Sequence, residues 1–421
     1  MPLLLGSIAD DFTGATDLCN MLVRHGMRVV QLLELPETPE APADVDAVTV
    51  ALKIRTCPVE EARERALAAL AWLRGAGARQ FFFKYCSTFD STERGNIGPV
   101  ADALLDALGA DFTIACPAFP ETGRTVYQGH LFVGDRLLSD THMRHHPLTP
   151  MTDSNLLRVL GRQTPHRVGL VDYAVVRRGE DAIRSRFAAL RAEGVRYAVT
   201  DVLHDGHLLA LGHACADLPL VTGGSGIAMG LPDNFRAAGL LAADRHADAL
   251  PAVRGHEAVL AGSCSAATLE QIRRFAEHRP AFFLDPLALA EGFDPAEAVA
   301  WAKPRLAAGP VLIHASAPPE AVRAAQEALG RERAGDLVER AMAAIARGLV
   351  EAGVRRLVVA GGETSGAVCT ALGIRALRIG PQIAPGVPAT VSLGHPPLAL
   401  ALKSGNFGGP DFFLEAFRVM P

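Results

Sequence analysis

The chain reads as an α/β protein of two domains, each a mostly parallel sheet flanked by helices, and three observations carry that reading. At 421 residues it is longer than one ordinary core organises. Short β-branched or aromatic runs alternate with longer amphipathic runs rich in Ala, Leu, Arg and Glu, as parallel strands joined by crossover helices do. The alternation then starts afresh after about residue 245.

The first half opens on the apolar run "LLLGSI", followed by "MRVVQLLE", "DAVTVAL", "RQFFFKY", "DFTIACPA" and "RYAVTDVL", all read as strands. Between them "VEEARERALAALAWLRGAG" and "EDAIRSRFAALRAEG" carry the helical period. In the second half "EAVLAGSCS", "AFFLD", "GPVLIHAS", "RRLVVAGGE" and "IRALRIG" are the strand candidates. The polar stretch "ADRHADALPAVRGHEA", with one Pro and one Gly, is the expected boundary, giving domains over 1–245 and 255–421.

Composition narrows the function classes. Hydrophobic residues make up 49% and charged residues 21%, the balance of a globular protein with ample core material. A net charge of −5 supplies no basic field for nucleic acid or an anionic membrane. The seven cysteines are odd in number and form no CxxC pair, so they read as free thiols in a reducing compartment. No basic region precedes the short apolar run at the start, and no apolar run of about eighteen residues follows, so a cytoplasmic protein is expected.

In open α/β sheets ligands bind beyond the carboxyl ends of the strands, which makes the residues just after each strand informative. In the first half these are Asp10 and Asp11, then Lys53 and Arg55, then "KYCSTFDSTERGN", then "CPAFPETGRTVYQGH". Any one could be a polar turn with a capping residue; four from one sheet point to a site. Lysine occurs only at positions 53, 84, 303 and 403, and three of these four fall in polar turns, where an ammonium can meet a carboxylate, hydroxyl or phosphate.

The second half carries a different chemistry. "LVVAGGETSGAV" is a buried strand followed by Gly361, Gly362, Glu363 and Thr364 at the start of a helix. Unpaired backbone amides and close backbone approach make such a turn an anion site. "LAGSCSAAT", with Ser263, and "LKSGNFGG", with Gly405, Asn406, Phe407 and Gly408, repeat the arrangement. Three such turns favour a polyphosphate, with a nucleotide the natural candidate. There is no GxxxxGK[ST], and "GGSGIAMG" misses the GxGxxG spacing by one residue. His142, His145 and His146 cluster in "DTHMRHHPLTP", yet one such cluster in a polar loop is weak evidence for zinc, and no metal ligands are designated.

The turn "ADDFTGATD" offers carboxylates as acceptors for hydroxyls, and free helix amides after Thr13 and Gly14 as donors for an anion. A small polyhydroxy acid fits both. Together "IADDFTGATD", "KYCSTFDSTERGNIGPV", "CPAFPETGRTVYQGHLFV", "TGGSGIA" and "GGETSG" resemble, in this order and over almost the whole chain, the four-carbon acid sugar kinases. The resemblance implies an N-terminal sugar-acid domain, a C-terminal nucleotide domain and an active site in the cleft between them. The stretch "FKYCSTFDSTERGNIGP" is most similar to the members that phosphorylate the 4-hydroxyl of a 3-oxo-tetronate, with the D-threonate and D-erythronate kinases as the alternative.

By that resemblance Asp10, Asp11, Thr13, Gly14 and Asp17 belong to the substrate-domain opening, and Lys84, Ser87, Thr88, Asp90 and Ser91 to its second polar turn. Ser263, Gly361 to Thr364 and Gly405 to Gly408 fall where family members contact ATP. Asp10 or Asp11 would orient the 4-hydroxyl or take its proton; Lys53, Arg55 and Lys84 are candidates for the substrate carboxylate or the developing charge; Mg2+ would bridge the phosphates. The expected partner is a small sugar acid, with neither nucleic acid nor membrane, and a homodimer is allowed. Outside the family stand a hydroxy-acid dehydrogenase, disfavoured by the missing GxGxxG, and a non-catalytic sugar-acid sensor, disfavoured by the intact glycine turns.

Overall fold

The run Leu5–Ala9 (β1) is buried at every position, Ser7 included, which is why its apolar residues do not alternate with exposed polar ones. A computed structural model describes residues 3–146, 148–242 and 246–421 and divides the chain into two units, Met1–Ala247 and Asp248–Pro421. The first two residues, the expected boundary at residue 245 and Pro147 of the histidine segment lie outside the described residues.

In the first unit β1 is followed by α1 (Phe12–Arg24), β2 (Val29–Leu32), β3 (Ala47–Ala51), α2 (Val59–Gly75), β4 (Gln80–Lys84), α3 (Ile97–Leu108) and β5 (Thr113–Cys116). An antiparallel meander of β6 (Arg124–Tyr127), β7 (His130–Val133) and β8 (Arg136–Leu137) interrupts the alternation. Then come α4 (Leu156–Gly161), β9 (Arg167–Val171), α5 (Tyr173–Val176), α6 (Glu180–Ala192), β10 (Val195–Thr200), α7 (Asp205–Ala214), β11 (Leu220–Gly223) and α8 (Leu231–Ala237). The strands pair in the order β2-β3-β1-β4-β11-β5-β10-β9, all parallel.

The second unit runs β12 (His256–Ala261), α9 (Ala266–Ala276), β13 (Ala281–Phe283), α10 (Pro286–Ala290), α11 (Pro295–Ala302), β14 (Val311–His314), α12 (Pro319–Leu329), α13 (Arg331–Glu351) and β15 (Val354–Ala360). It ends with α14 (Gly362–Ala371), β16 (Ala376–Ala384), β17 (Val387–Ser392), β18 (Ala399–Lys403) and α15 (Phe412–Val419). Its order is β13-β14-β12-β15-β18-β17-β16, parallel as far as β18 and antiparallel from there.

The two units share a topological device. Chain-order strands β1, β2, β3, β4 and β12, β13, β14, β15 each occupy the spatial order second, third, first, fourth. The chain therefore leaves its first strand in one direction and resumes on that strand's other side, opening a crevice at the carboxyl ends of β1/β4 and of β12/β15.

Several strands escaped the sequence reading. β9, β11 and the meander are short, and β11 ends in the glycines read as a near-miss fingerprint. Those glycines serve packing: a Cβ at Gly223 would lie 2.3 Å from the Cys116 carbonyl oxygen, and one at Gly224 2.6 Å from that of Pro117. In the histidine segment the His146 ring nitrogen Nδ1 accepts from the Thr149 amide at 3.0 Å, a loop-closing role. All seven cysteines are free, and no helix among the described residues is long and apolar enough to cross a membrane.

Candidate functional site

The first site is built on neighbouring strands. β1 delivers Asp10 and Asp11, β3 delivers Lys53 and Arg55 through the turn that follows it, and β4 ends in Lys84 and the turn Tyr85–Asn96. Asp11 has extended backbone and caps α1, its Oδ1 accepting from the Gly14 amide at 2.8 Å. Gly14 has to be small there, since a Cβ would sit 2.4 Å from that Asp11 oxygen and 3.0 Å from Lys84 Nζ.

Arg55 is the centre of this turn cluster. Its Nε donates to Asp10 Oδ2 at 2.8 Å and its Nη2 to Asp10 Oδ1 at 3.0 Å, a bidentate pair. The same guanidinium lies 3.1 Å from Asp11 and 3.5 Å from Asp90. Burial works against its charge, but Asp10 and Asp11 outweigh it and hold the Arg55 pKa well above the usual value. The Asp10 pKa is raised as well: burial lifts it, and Arg55 offsets part of that rise.

The remaining carboxylates are individually held. Asp90 Oδ1 accepts from the Thr88 hydroxyl at 2.5 Å, and Asp17 accepts from the hydroxyl of Ser225, while burial raises the Asp17 pKa. Lys84 is buried, donates to the Tyr85 carbonyl at 2.7 Å, and its charge acts on both Asp10 and Asp17. Ser91 accepts from Gln163 Nε2 at 2.8 Å, and Asn96 Nδ2 ties the β3 turn down by donating to the carbonyls of Ile54 at 2.7 Å and Cys57 at 2.9 Å. Asp10, Arg55, Asp90, Ser91 and Asn96 line a small cavity with room for about one water.

Sequence reasoning thus named residues that the fold gathers, with distinctions it did not make. Asp10, Asp11, Arg55 and Asp90 form one ionic cluster; Thr13 and Ser87 stand half-buried with no side-chain hydrogen bond among the described residues. Lys53 is exposed and outside the cluster. Gln163, Asn96 and Ser225 were missed, for their roles depend on contacts across 72, 42 and 208 positions.

The second site occupies the ends of β12, β15 and β18. Gly361 has φ 123°, a backbone that favours glycine, and it starts α14; a Cβ there would meet the Ser263 amide at 3.2 Å and Thr364 Oγ1 at 3.0 Å. A Cβ at Gly405 would lie 2.2 Å from Ser263 Oγ, so Ser263, Gly361, Thr364 and Gly405 converge. Gly362, Glu363 and Asn406 face outward, and Phe407 is half-buried. Under Gly405 lies Lys403, whose Nζ donates to the Gly405 carbonyl at 2.9 Å and to Thr268 Oγ1 at 3.1 Å. Burial pushes its pKa down to about 8.

Residues 5–231 match the family described as a sugar-binding N-terminal domain, and residues 258–413 the one described as a nucleotide-binding C-terminal domain. A Cupriavidus necator protein curated as 3-oxo-tetronate kinase is 62% identical, with 99% of this chain and 97% of that protein covered. A Salmonella typhimurium protein of the same curated name is 45% identical, with 99% of each chain covered. Among solved structures, one from Salmonella typhimurium LT2 has a TM-score of 0.90 at 44% identity over 99% of both chains. Haemophilus influenzae protein HI1011 has a TM-score of 0.85 at 43% identity, covering 98% of this chain and 99% of its own. The strand-end turns, both domain matches and full-length relatives at 45–62% identity agree, and the chain belongs to the four-carbon acid sugar kinase family.

Proposed function

We propose that this chain transfers the γ-phosphoryl group of ATP to the 4-hydroxyl of a 3-oxo-tetronate, giving the 4-phosphate. The observation that carries the reading is a carboxylate left open to a hydroxyl in the unit matched as sugar-binding: the Asp11 side chain is 32% exposed, whereas that of Asp10 is 6% exposed with both oxygens on Arg55. The curated names of the relatives supply the substrate, and the nucleotide-binding match supplies the phosphoryl donor.

In this reading Asp11 accepts the 4-hydroxyl hydrogen bond and takes its proton as the bond to phosphorus forms. Asp10 and Arg55 fix the turn that carries Asp11. Lys84, with no carboxylate bonded to its nitrogen among the described residues, offsets the negative charge gathered by Asp10, Asp11, Asp17 and Asp90. Lys53, exposed on the turn that carries Arg55, is the ammonium open to the substrate carboxylate, and Ser87 the hydroxyl open to its ketone. Gly362 to Thr364, Gly405, Asn406 and Gly408 hold the ATP phosphates through backbone amides, and Ser263 adds its hydroxyl; the amides of Ser263, Gly361 and Phe407 are taken by the carbonyls of Ala360, Lys403 and Ser404.

Mg2+ completes this reading. Among the described residues no three His, Cys, Asp or Glu side chains gather into a metal cage, and Mg2+ on phosphates asks for few protein ligands. Bound there, it would neutralise charge on the phosphate oxygens. A cytoplasmic setting supplies ATP and keeps seven free thiols reduced.

The test is ADP release by the purified full chain with ATP, Mg2+ and each of 3-oxo-tetronate, D-threonate and D-erythronate. The highest kcat/KM is expected with the keto acid. Preference for either hydroxy acid would move the chain to the alternative kinases, and absence of turnover with all three would defeat the kinase reading.

A further inference from the structure

The loop Ser404–Gly409 has an internal polarity that its glycine content does not explain. The Gly405 carbonyl accepts three buried or half-buried donors: Ser265 Oγ at 2.6 Å, Thr268 Oγ1 at 2.9 Å and Lys403 Nζ at 2.9 Å. One side-chain amide, Gln271 Nε2, lies 3.0 Å from each of the carbonyls of Phe407, Gly408 and Gly409 and is shared among them. Gln271 and Lys403 are nearly inaccessible, 1% and 2% exposed. Four carbonyls of the loop are thus turned into the protein.

In a planar trans peptide the N–H that follows a carbonyl points the opposite way. Inward carbonyls at Gly405, Phe407 and Gly408 therefore turn the amides of Asn406, Gly408 and Gly409 outward. None of those three amides has an acceptor among the described residues, whereas the Phe407 amide is used in a turn onto the Ser404 carbonyl. Outward amides over a buried cation make a concavity for an anion. Among the described residues the ammonium has no carboxylate partner; around it lie the hydroxyl of Thr268, the Gly405 carbonyl and the Phe413 ring at 5.9 Å. Burial is the cause that sets its pKa near 8, so the charged form still prevails at neutral pH.

We propose that Lys403 and Gln271 are positioning residues for the nucleotide: they hold the Ser404–Gly409 carbonyls inward so that the loop presents its amides to polyphosphate oxygens. This rests on the proposed kinase reading and deepens it, because both side chains act through the loop carbonyls they hold. An ammonium under the loop also supplies the long-range attraction that the chain, with a net charge of −5, lacks overall.

The test is calorimetric binding of ADP to the full chain and to Lys403→Met, Gln271→Met and the near-isosteric Thr268→Val, with KM for ATP and for the sugar acid. The dissociation constant for ADP should rise at least tenfold in the first two variants and about threefold in Thr268→Val. KM for ATP should follow, while KM for the sugar acid stays within twofold. If Lys403→Met does not fold, Thr268→Val, which keeps shape while losing one donor to the Gly405 carbonyl and one acceptor of the Lys403 ammonium, carries the test. Affinity for ADP within twofold of wild type in every folded variant overturns the inference, as does a parallel rise in the sugar-acid KM. A wild-type chain that binds no ADP would instead defeat the nucleotide reading on which the inference stands.

Discussion

Replacing Arg55 by Met isolates what the ionic cluster contributes. The wild-type guanidinium makes two charge-assisted bonds to Asp10, at 2.8 and 3.0 Å, with the Arg55 and Asp10 side chains 22% and 6% exposed. Removing one partner of a pair this buried leaves an uncompensated charge, at a cost of about 3–5 kcal/mol. The contact to Asp11, 32% exposed, adds little because water screens it. The lower end, about 3 kcal/mol, is therefore expected at pH 7.

The assay uses Trp72, which sits in α2 of the first unit and donates to the Thr38 carbonyl at 3.1 Å. Since the chain has two tryptophans, a Trp301→Phe background leaves Trp72 fluorescence to report urea unfolding of that unit alone. The sign of the pH effect follows from linkage. Burial already raises Asp10, and without Arg55 its folded pKa climbs further above the unfolded value. The folded variant then binds more protons than the unfolded chain, so its stability falls as pH rises through the folded pKa and recovers as pH is lowered. The deficit should shrink from pH 7 to pH 5. A deficit under about 1 kcal/mol at pH 7, or one unchanged between those pH values, would show that Arg55 does not compensate the burial of Asp10.

Asp11→Asn should lower kcat by about a hundredfold or more, as expected for loss of a general base, with the ADP dissociation constant unchanged by calorimetry. Gly405→Ala, whose methyl would lie 2.2 Å from Ser263 Oγ, should do the reverse, raising KM for ATP while leaving sugar-acid KM in place. Ser87→Ala should cost about 1–3 kcal/mol in kcat/KM with 3-oxo-tetronate and less with D-threonate, since a ketone only accepts whereas a 3-hydroxyl can find another bond. Exhaustive chelation by EDTA should abolish ADP release, and added Mg2+ should restore it.

How much of this was legible in the sequence depended on whether the signal was local. Strand β1 and the cap at Asp11 are local: an apolar run, then an acceptor side chain three residues before a small residue in the first helical turn. The Arg55–Asp10 pair is not, because 45 positions separate its members and only the β1–β3 register brings them together. Gln271 was equally hidden, since in the sequence it is one polar residue of an ordinary amphipathic helix, Ala266–Ala276. The glycines at 223 and 224 show the same limit: glycine marks close approach of backbone, and a sequence does not say whether the approaching atom is a ligand phosphate or, as here, the carbonyls of Cys116 and Pro117.

The repeated topology accounts for why the strand ends were the informative positions. A chain that reverses its direction of travel across a sheet leaves two neighbouring strand ends, β1/β4 and β12/β15, with their following segments diverging. Helix geometry leaves the first amides of α1 and α14 without partners inside the helix; in α1 the Asp11 cap takes the Gly14 amide, contrary to the free amide expected there, whereas α14 has no side-chain cap. What differs is the charge placed on that common frame. In the first unit four carboxylates, Asp10, Asp11, Asp17 and Asp90, crowd the amides, a setting that repels a polyphosphate and accepts hydroxyls. In the second unit the nearest buried charge is the ammonium of Lys403, and the surrounding side chains are serine, threonine and glycine, a setting that attracts a polyphosphate and gives sugar hydroxyls few acceptors. The same crevice in duplicate would bind one kind of ligand twice; opposite charge on the two copies gives each its own, and a kinase requires one of each.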